Sequence, residues 1–182
     1  MKTESKIFNK EEQEWNVYYG MLKNPTLRTA ALKKINEKNG LNKHNSEELS
    51  FVSAAFRDGQ YDLAQYLIQN GADYNDVFVA CISFKNYPAL KTLLQLGANL
   101  TSLNQEGLTI LFEVLEDPES FEIDKEMLKF LQENGLNLNQ PNRDGIRAIC
   151  ALTQHPLKKS LPIFKLLKKS GIELNFVTES HT

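Results

Sequence analysis

The sequence is poor in the residues that build cross-linked or metal-bound scaffolds. It has two cysteines among 182 residues, Cys81 and Cys150, and no CxxC or histidine-rich spacing, which excludes a disulfide framework and a zinc site. It has no run of about 20 apolar residues, so no membrane span is predicted. Its N-terminal stretch is polar and charged and lacks the apolar segment of a secretory signal. These absences lead us to expect a cytoplasmic protein.

The chain also has little net charge, −2, from 21 basic and 23 acidic residues. Proteins dedicated to nucleic acids carry a strong basic excess, so the charge balance argues against this class. Hydrophobic residues make up 41%, enough for a buried core and too many for a disordered chain. We expect one domain of ordinary size, with neither nucleic acid nor a membrane as its partner.

Residues with catalytic chemistry are scattered along the chain. The three histidines, His44, His155 and His181, have no partner at catalytic or metal-ligand spacing. No serine stands in a nucleophile elbow, and no cluster of glycines could hold a phosphate. The two cysteines fall on apolar helix faces, where they either pack in the core or act as reactive thiols. We therefore expect a protein that is not an enzyme and binds no metal or cofactor.

One short phrase recurs along the chain: an apolar helical run, a glycine and a polar turn. The end of a helix favours a residue in the left-handed conformation, which glycine adopts without a Cβ clash. Self-similarity at a period of this size is the signature of a repeat architecture. The five glycines stand at positions 40, 71, 97, 135 and 171, at spacings of 31, 26, 38 and 36 residues.

Between these glycines the apolar periodicity predicts pairs of short helices. Ser46, followed by two acidic residues, has the form of a helix start and predicts a helix that ends near Arg57. Pro162 falls near the start of a second helix, where its missing N–H costs nothing. The predicted pairs are 11–22 with 25–38, 46–57 with 61–69, 76–84 with 88–96, 108–116 with 124–133, and 146–154 with 161–169.

A helix pair of about 33 residues that closes on Gly-Ala-Asp or Gly-Ala-Asn resembles an ankyrin repeat. Residues 104–111, NQEGLTIL, are similar to the family phrase Asp-x-x-Gly-x-Thr-Pro-Leu, and residues 50–55, SFVSAA, stand where the family carries Thr-Pro-Leu-His-x-Ala. The resemblance covers residues 25–177. It implies an all-α ankyrin-repeat solenoid of four to five helix–turn–helix repeats with capping helices. The implied parts are a capping segment over 1–45, repeats over 46–75, 76–103, 104–141 and 142–177, and a tail over 178–182.

The unequal spacings locate departures from a regular array. The interval between Gly71 and Gly97 lacks the turn phrase with its own glycine, which predicts that one β-hairpin finger is missing there. The next interval carries an insert at 118–123, and the last has about three extra residues near 155–160, judged against an ankyrin period of about 33 residues. Repeat arrays place such insertions in loops on one face, often the binding face.

Charged side chains gather at two places. Seven acidic residues lie between Glu113 and Glu126, around the insert. They form either a solvated face or a contact for a basic surface on a partner. Five lysines lie between Lys158 and Lys169, and they form either a solvated end of the array or a patch for nucleic acid.

The resemblance also implies a partner-contact surface, which in this family consists of the finger tips and the exposed side of each first helix. A protein partner would then lie on the concave face. Phe84 is the aromatic candidate for an anchor; alternatively, it packs into the space left by the missing finger. The implied contacts on the helices are Arg57, Asp58, Ser83, Phe84, Glu116, Asp117, Gln154 and His155, and those on the fingers are Gln105, Glu106, Leu108, Arg143, Asp144 and Ile146.

These features predict a non-enzymatic interaction module, monomeric by itself, that binds one protein partner with a basic surface. Lysine outnumbers arginine 17 to 4, and there are 17 asparagines, a composition typical of AT-rich bacterial coding. Small bacterial ankyrin proteins include immunity proteins that neutralise toxins and secreted effectors. Both stay open as alternatives to a general adaptor.

Overall fold

The computed structural model describes residues 2–116 and 124–174, with side chains from Lys10 onward. The insert at 118–123, the predicted contact Asp117 and the tail at 178–182 lie outside the described residues. Within those two ranges every regular element is a helix. The helices are α1 (Lys2–Lys23), α2 (Arg28–Glu37), α3 (Phe51–Arg57), α4 (Tyr61–Gln69), α5 (Asn75–Ser83), α6 (Tyr87–Gln95), α7 (Ile110–Glu116), α8 (Lys125–Glu133), a 3-10 helix (Ala148–Gln154) and α9 (Leu157–Lys169).

The chain divides into two compact units that meet in sequence at Tyr74 and Asn75. In the first unit α1 packs on α2, and α3 packs on α4. In the second unit α5 packs on α6 and α7, and the 3-10 helix packs on α7 and α9. Apolar positions three or four residues apart form the buried face of each helix; in α4 these are Leu63 and Leu67, both fully buried.

Four of the five repeat glycines end their helices in the predicted left-handed conformation. Gly71 has a φ of 86° and Gly97 one of 100°. The N–H of Ala72 donates to the carbonyl of Leu67 at 3.1 Å, which closes the last helical turn. The same conformation and hydrogen bond occur at Gly135 and Gly171.

The prediction at Gly40 is wrong by one residue. Asn39 holds the left-handed position, with a φ of 51°, and the N–H of Gly40 donates to the carbonyl of Ile35 at 2.9 Å. Asn39 and Gly40 therefore correspond to Gly71 and Ala72. Asparagine is one of the few residues that tolerate this conformation, so it replaces glycine at the end of α2.

Within the described residues, hairpin fingers precede three of the first helices. In the finger 104–108 the Asn104 side chain accepts a hydrogen bond from the N–H of Leu108 at 2.8 Å, while the Asn104 N–H donates to the Leu108 carbonyl at 3.0 Å. Asn142 and Ile146 make the same two bonds, each at 2.8 Å. An asparagine side chain that binds backbone N–H groups in this way stabilises a tight turn.

The third finger lies where the sequence predicts the start of a helix. Asn45 and Leu49 form the same pair of bonds, at 2.9 and 3.0 Å. Glu48 takes the left-handed position, with a φ of 59°. The helix start predicted at Ser46 is therefore wrong, and α3 begins at Phe51.

The residue between each finger and the helix that follows it differs among the three repeats. The hydroxyl of Ser50 accepts a hydrogen bond from the N–H of Ser53 at 3.0 Å, and that of Thr109 accepts from Phe112 at 3.1 Å. Both side chains therefore cap an α-helix. Arg147 occupies the corresponding position and has no acceptor to offer. The α-helix predicted at 146–154 is instead a shorter 3-10 helix, which begins without a side-chain cap.

The lengths of the connections also differ from repeat to repeat. No finger stands between α4 and α5, because Asn75 begins α5 four residues after Gly71; the missing finger is confirmed. The extra residues near 155–160 do not form the predicted loop. They extend α9 by one turn to Leu157, so Pro162 lies inside the helix rather than near its start. An all-α repeat of helix pairs is confirmed.

Candidate protein-binding surface

The two fingers of the second unit are bonded to each other. The N–H of Arg143 donates to the carbonyl of Gly107 at 2.8 Å, and its Nη2 donates to the carbonyl of Gln105 at 3.0 Å. Gly107 is buried beneath Arg143. Gln105 and Arg143, two of the predicted contact residues, therefore lie side by side on a fixed backbone.

The other finger residues present mixed chemistry to solvent. Glu106 and Asp144 are exposed, and Ile146 keeps 38% of its surface exposed. Leu108 is half-buried. The finger tips of the second unit therefore combine charge of both signs with one exposed aliphatic side chain, a composition that suits a protein interface.

In the first unit the predicted contacts Arg57 and Asp58 also serve the fold. The Arg57 Nη1 atom lies 2.6 Å from the carboxylate of Glu47, on the finger 45–49. Asp58 accepts hydrogen bonds from Lys23 at 2.8 Å and from the Tyr19 hydroxyl at 3.0 Å, which ties α1 to the end of α3. Glu47 is a surface residue that sequence reasoning missed, because residues 46–48 read as a helix start.

The contacts of Asp58 should make the stability of the protein depend on pH. Lys23 and Tyr19 hold the pKa of the Asp58 carboxyl below its usual value. Its stabilising effect is therefore complete above the unfolded pKa of about 3.9 and is lost as the pH falls through the lower folded pKa. We expect Asp58→Asn to be less stable than the wild type at about pH 6, with a difference that shrinks towards about pH 3. Urea unfolding at both pH values measures this, and a difference independent of pH would contradict it.

Phe84 is the most exposed large apolar side chain of the described residues, at 84%. The alternative that it packs into the space of the missing finger is therefore wrong. Its neighbour Ser83 donates its hydroxyl to the Val79 carbonyl of its own helix at 2.8 Å. Lys85, with a φ of 49°, forms an ion pair with Asp124 at 2.8 Å. Phe84 thus projects into solvent from a turn that neighbouring residues hold in place.

The four described members of the acidic cluster separate into two groups. Glu113 accepts hydrogen bonds from the side chains of Asn75 and Asn104, both at 2.9 Å, so it joins α5, α7 and the finger 104–108. Asp124 caps α8 through the N–H of Met127 at 2.8 Å and pairs with Lys85. Glu116 and Glu126 are exposed and have no partner among the described residues.

The predicted contacts Gln154 and His155 lie at the end of the 3-10 helix, exposed and half-buried respectively.

Cys81 is buried, and burial raises the pKa of its thiol to about 11, which favours the core-packing interpretation. Cys150 is half-buried. Across residues 2–116 and 124–174 we find neither a metal-ligand cluster nor a helix long and apolar enough to cross a membrane.

The predicted contacts of the second unit form two rims rather than one patch. A first helix of seven residues, such as α7, is about 10 Å long. Its finger lies before its first residue and Glu116 is its last, so finger tips and helix ends lie at opposite ends of the first helices. Between the two rims the outward side chains are half-buried, as Glu113 is on α7 and Cys150 is on the 3-10 helix.

The helix pairs, the left-handed glycines that close them and the asparagine-based fingers together decide the architecture. The fold is an ankyrin-repeat fold. No family model matches the sequence, and no curated protein matches it. Solved structures of ankyrin repeats do resemble it.

An ankyrin repeat domain from Acinetobacter baumannii has 22% sequence identity and a TM-score of 0.48 over 89% of this chain and 84% of its own. A chain in the complex of the predatory endopeptidase Bd0816 from Bdellovibrio bacteriovorus with immunity protein Bd3460 has 21% identity and a TM-score of 0.44, over 78% of this chain and 75% of its own. The ankyrin repeat protein EF0377 has 18% identity and a TM-score of 0.39, over 78% of this chain and 92% of its own. At these scores the assignment of the fold rests on the helices and turns themselves.

Proposed function

We propose that the protein is a non-enzymatic interaction module that binds one protein partner with its finger tips and the outward flanks and ends of its first helices. The observation that carries this proposal is the pair of bonds from Arg143 to the finger 104–108. They fix a solvent-exposed row of side chains in one geometry before any partner arrives. A surface that is already ordered loses little conformational entropy on binding, which favours affinity.

Phe84 supports the same proposal at the opposite rim. Exposing a phenylalanine to water is unfavourable for a protein without a partner. Aromatic side chains are frequent among the residues that dominate binding energy. Since the neighbouring turn is held by the ion pair between Lys85 and Asp124, Phe84 is presented from a defined position.

The charge of the surface suggests the partner's chemistry. Glu116 and Glu126 are exposed without a partner among the described residues, and Asp117 follows Glu116 directly in sequence. A basic patch on the partner would complement them, raise the association rate and make it sensitive to salt. The proposed contacts remain those implied by the resemblance, with Glu47 added.

Kinetics with the partner isolated by pull-down from the native host test this charge effect. Glu116→Lys should slow association about threefold or more at low salt, and the effect should fade at about 0.5 M salt. Glu37→Lys is the matched control, because Glu37 is likewise the exposed last residue of a helix, α2. Equal association rates for the two variants would show that the acidic group is only solvated surface.

Phe84→Ala and Arg143→Ala separate the two rims in the same assay. Phe84→Ala removes an aromatic anchor that the partner would bury, so we expect it to accelerate dissociation about tenfold or more. If neither variant changes the affinity while both remain folded, the partner does not bind on this face.

Within this proposal the biological role is either a bacterial immunity protein or a secreted effector that uses the same surface, or a general adaptor in the cytoplasm. The abundance of lysine and asparagine favours a bacterial source. Co-expression with a toxin encoded next to its gene is the direct test: rescue of growth supports the immunity role, and a gene within a secretion island supports the effector.

A further inference from the structure

Helix α9 is longer than the other second helices of the described pairs α3–α4, α5–α6 and α7–α8. Helices α4, α6 and α8 each have nine residues, whereas α9 has 13. The four additional residues, Leu157–Ser160, form one extra turn at its start. Leu157 lies on this turn with 73% of its surface exposed, so the extra turn adds an apolar side chain to the surface and not to the core.

A second leucine continues the exposed face. Leu161 follows Leu157 by four residues, which places both on the same side of the helix, and it is 37% exposed. The buried side of α9 is formed by other residues, among them Leu167 and Ser160. Two leucines on one side of α9 are therefore exposed to solvent.

Lysines surround the two leucines. Lys158, Lys165, Lys168 and Lys169 are exposed, and none has a partner among the described residues. In α8 the residue that corresponds to Lys168 is Gln132, which donates to the carbonyl of Ser170 in the following repeat at 3.1 Å. Lys168 is exposed and forms no such bond with a described residue.

We propose that the outer face of α9 binds an acidic amphipathic helix of a partner protein. The two leucines, one helical turn apart, form a short apolar ridge of the kind that packs into the groove of another helix. Acidic residues beside that groove would complement the lysines, which act as point charges and do not require a fixed carboxylate geometry. An anionic bilayer fits less well, because α9 already buries its main apolar face and only two leucines could insert.

The test uses a labelled synthetic helix of about 20 residues, with leucine at the heptad a and d positions and glutamate beside them. A second peptide carries lysine in place of every glutamate. Fluorescence anisotropy with the full-length protein should show about tenfold tighter binding of the acidic peptide at about 0.1 M salt. Vesicles with and without phosphatidylserine form a separate arm of the experiment.

The double variant Leu157→Ser, Leu161→Ser keeps every charge and should weaken binding of the acidic peptide about fivefold or more. Val17→Ser is the matched control, since Val17 is also an exposed aliphatic residue on a helix, at 60%. Phe84→Ala should have no effect, so this result does not depend on the proposed function. If the double variant binds the acidic peptide as tightly as the wild type, the lysines alone attract it, and the proposal is wrong. Preferential binding to the anionic vesicles would also overturn the proposal.

Discussion

Replacing Trp15 by alanine should lower the free energy of unfolding by about 4 kcal/mol, within the range for deleting a buried aromatic side chain. Trp15 is the only tryptophan of the chain; it lies on α1 and is buried against α3. Its ring stacks on Phe51, with centroids 4.6 Å apart and planes 6° from parallel, and lies 5.1 Å from the ring of Tyr19. Its Nε1 donates to the Lys43 carbonyl at 3.2 Å. One side chain therefore joins the first helix, the turn after α2 and the first helix of the next repeat.

Trp15→Phe is the control for this experiment. It keeps an aromatic ring near Phe51 but removes the hydrogen bond to Lys43, so we expect a loss of only about 1 to 2 kcal/mol. Urea unfolding followed by circular dichroism suits all three proteins, because the variants contain no tryptophan for fluorescence. A loss below about 1 kcal/mol for Trp15→Ala would mean that α1 contributes little to the stability of the first unit.

Gly107→Ala should destabilise the protein by about 3 kcal/mol, because two costs coincide. Gly107 has a φ of 83°, a conformation that alanine adopts only with strain. A Cβ atom at this position would also lie 2.5 Å from the Cβ of Arg143. Relief of that clash would separate the two fingers and break the bond from the Arg143 N–H to the Gly107 carbonyl.

Gly145→Ala separates the two costs. Gly145 occupies the same position in the next finger, with a φ of 78°, but a Cβ atom there would meet nothing within 4 Å. We therefore expect about 1 kcal/mol for Gly145→Ala, from backbone strain alone. Chemical denaturation of the two variants gives the comparison. Equal losses would show that the fingers do not pack as tightly as the bond to Arg143 indicates.

Much of this architecture is predictable because the second helix of a pair ends on a residue that must adopt the left-handed conformation. Gly71 and Gly97 stand where only a left-handed residue can close the turn, so their spacing reveals the repeat. The prediction at Gly40 is wrong by one residue because Asn39, at the preceding position, adopts the left-handed conformation instead. The missing finger before α5 is equally visible in the sequence, since a deletion changes the spacing of the flanking glycines.

The finger 45–49 is the part of the candidate surface that the sequence pattern does not predict. Its left-handed position is held by Glu48 and not by glycine, and acidic residues after Ser46 resemble the first turn of a helix. A usable signal does exist: Asn45 precedes Leu49 by four residues, as Asn104 precedes Leu108. Recognising it requires comparing the asparagines of the fingers rather than the glycines.

The division of the acidic residues depends on tertiary contacts that no local pattern encodes. Glu113 and Glu116 lie three residues apart on α7 and have the same chemistry. Glu113 binds Asn75, a residue 38 positions away, whereas Glu116 faces solvent. Periodicity places both on the exposed side of the helix but does not show which one a distant asparagine will engage.

Site-specific photocrosslinking tests the proposed binding surface most directly. A benzophenone amino acid is placed at Phe84 and, separately, at Ile146, and at the exposed control positions Val17 and Leu27. The protein is then irradiated in cells of the organism that encodes it, and adducts are identified by mass spectrometry. We expect the same protein to be crosslinked from Phe84 and from Ile146 and not from either control. A specific adduct that forms only from the control positions would contradict the account, because the partner would then lie away from the fingers and first helices.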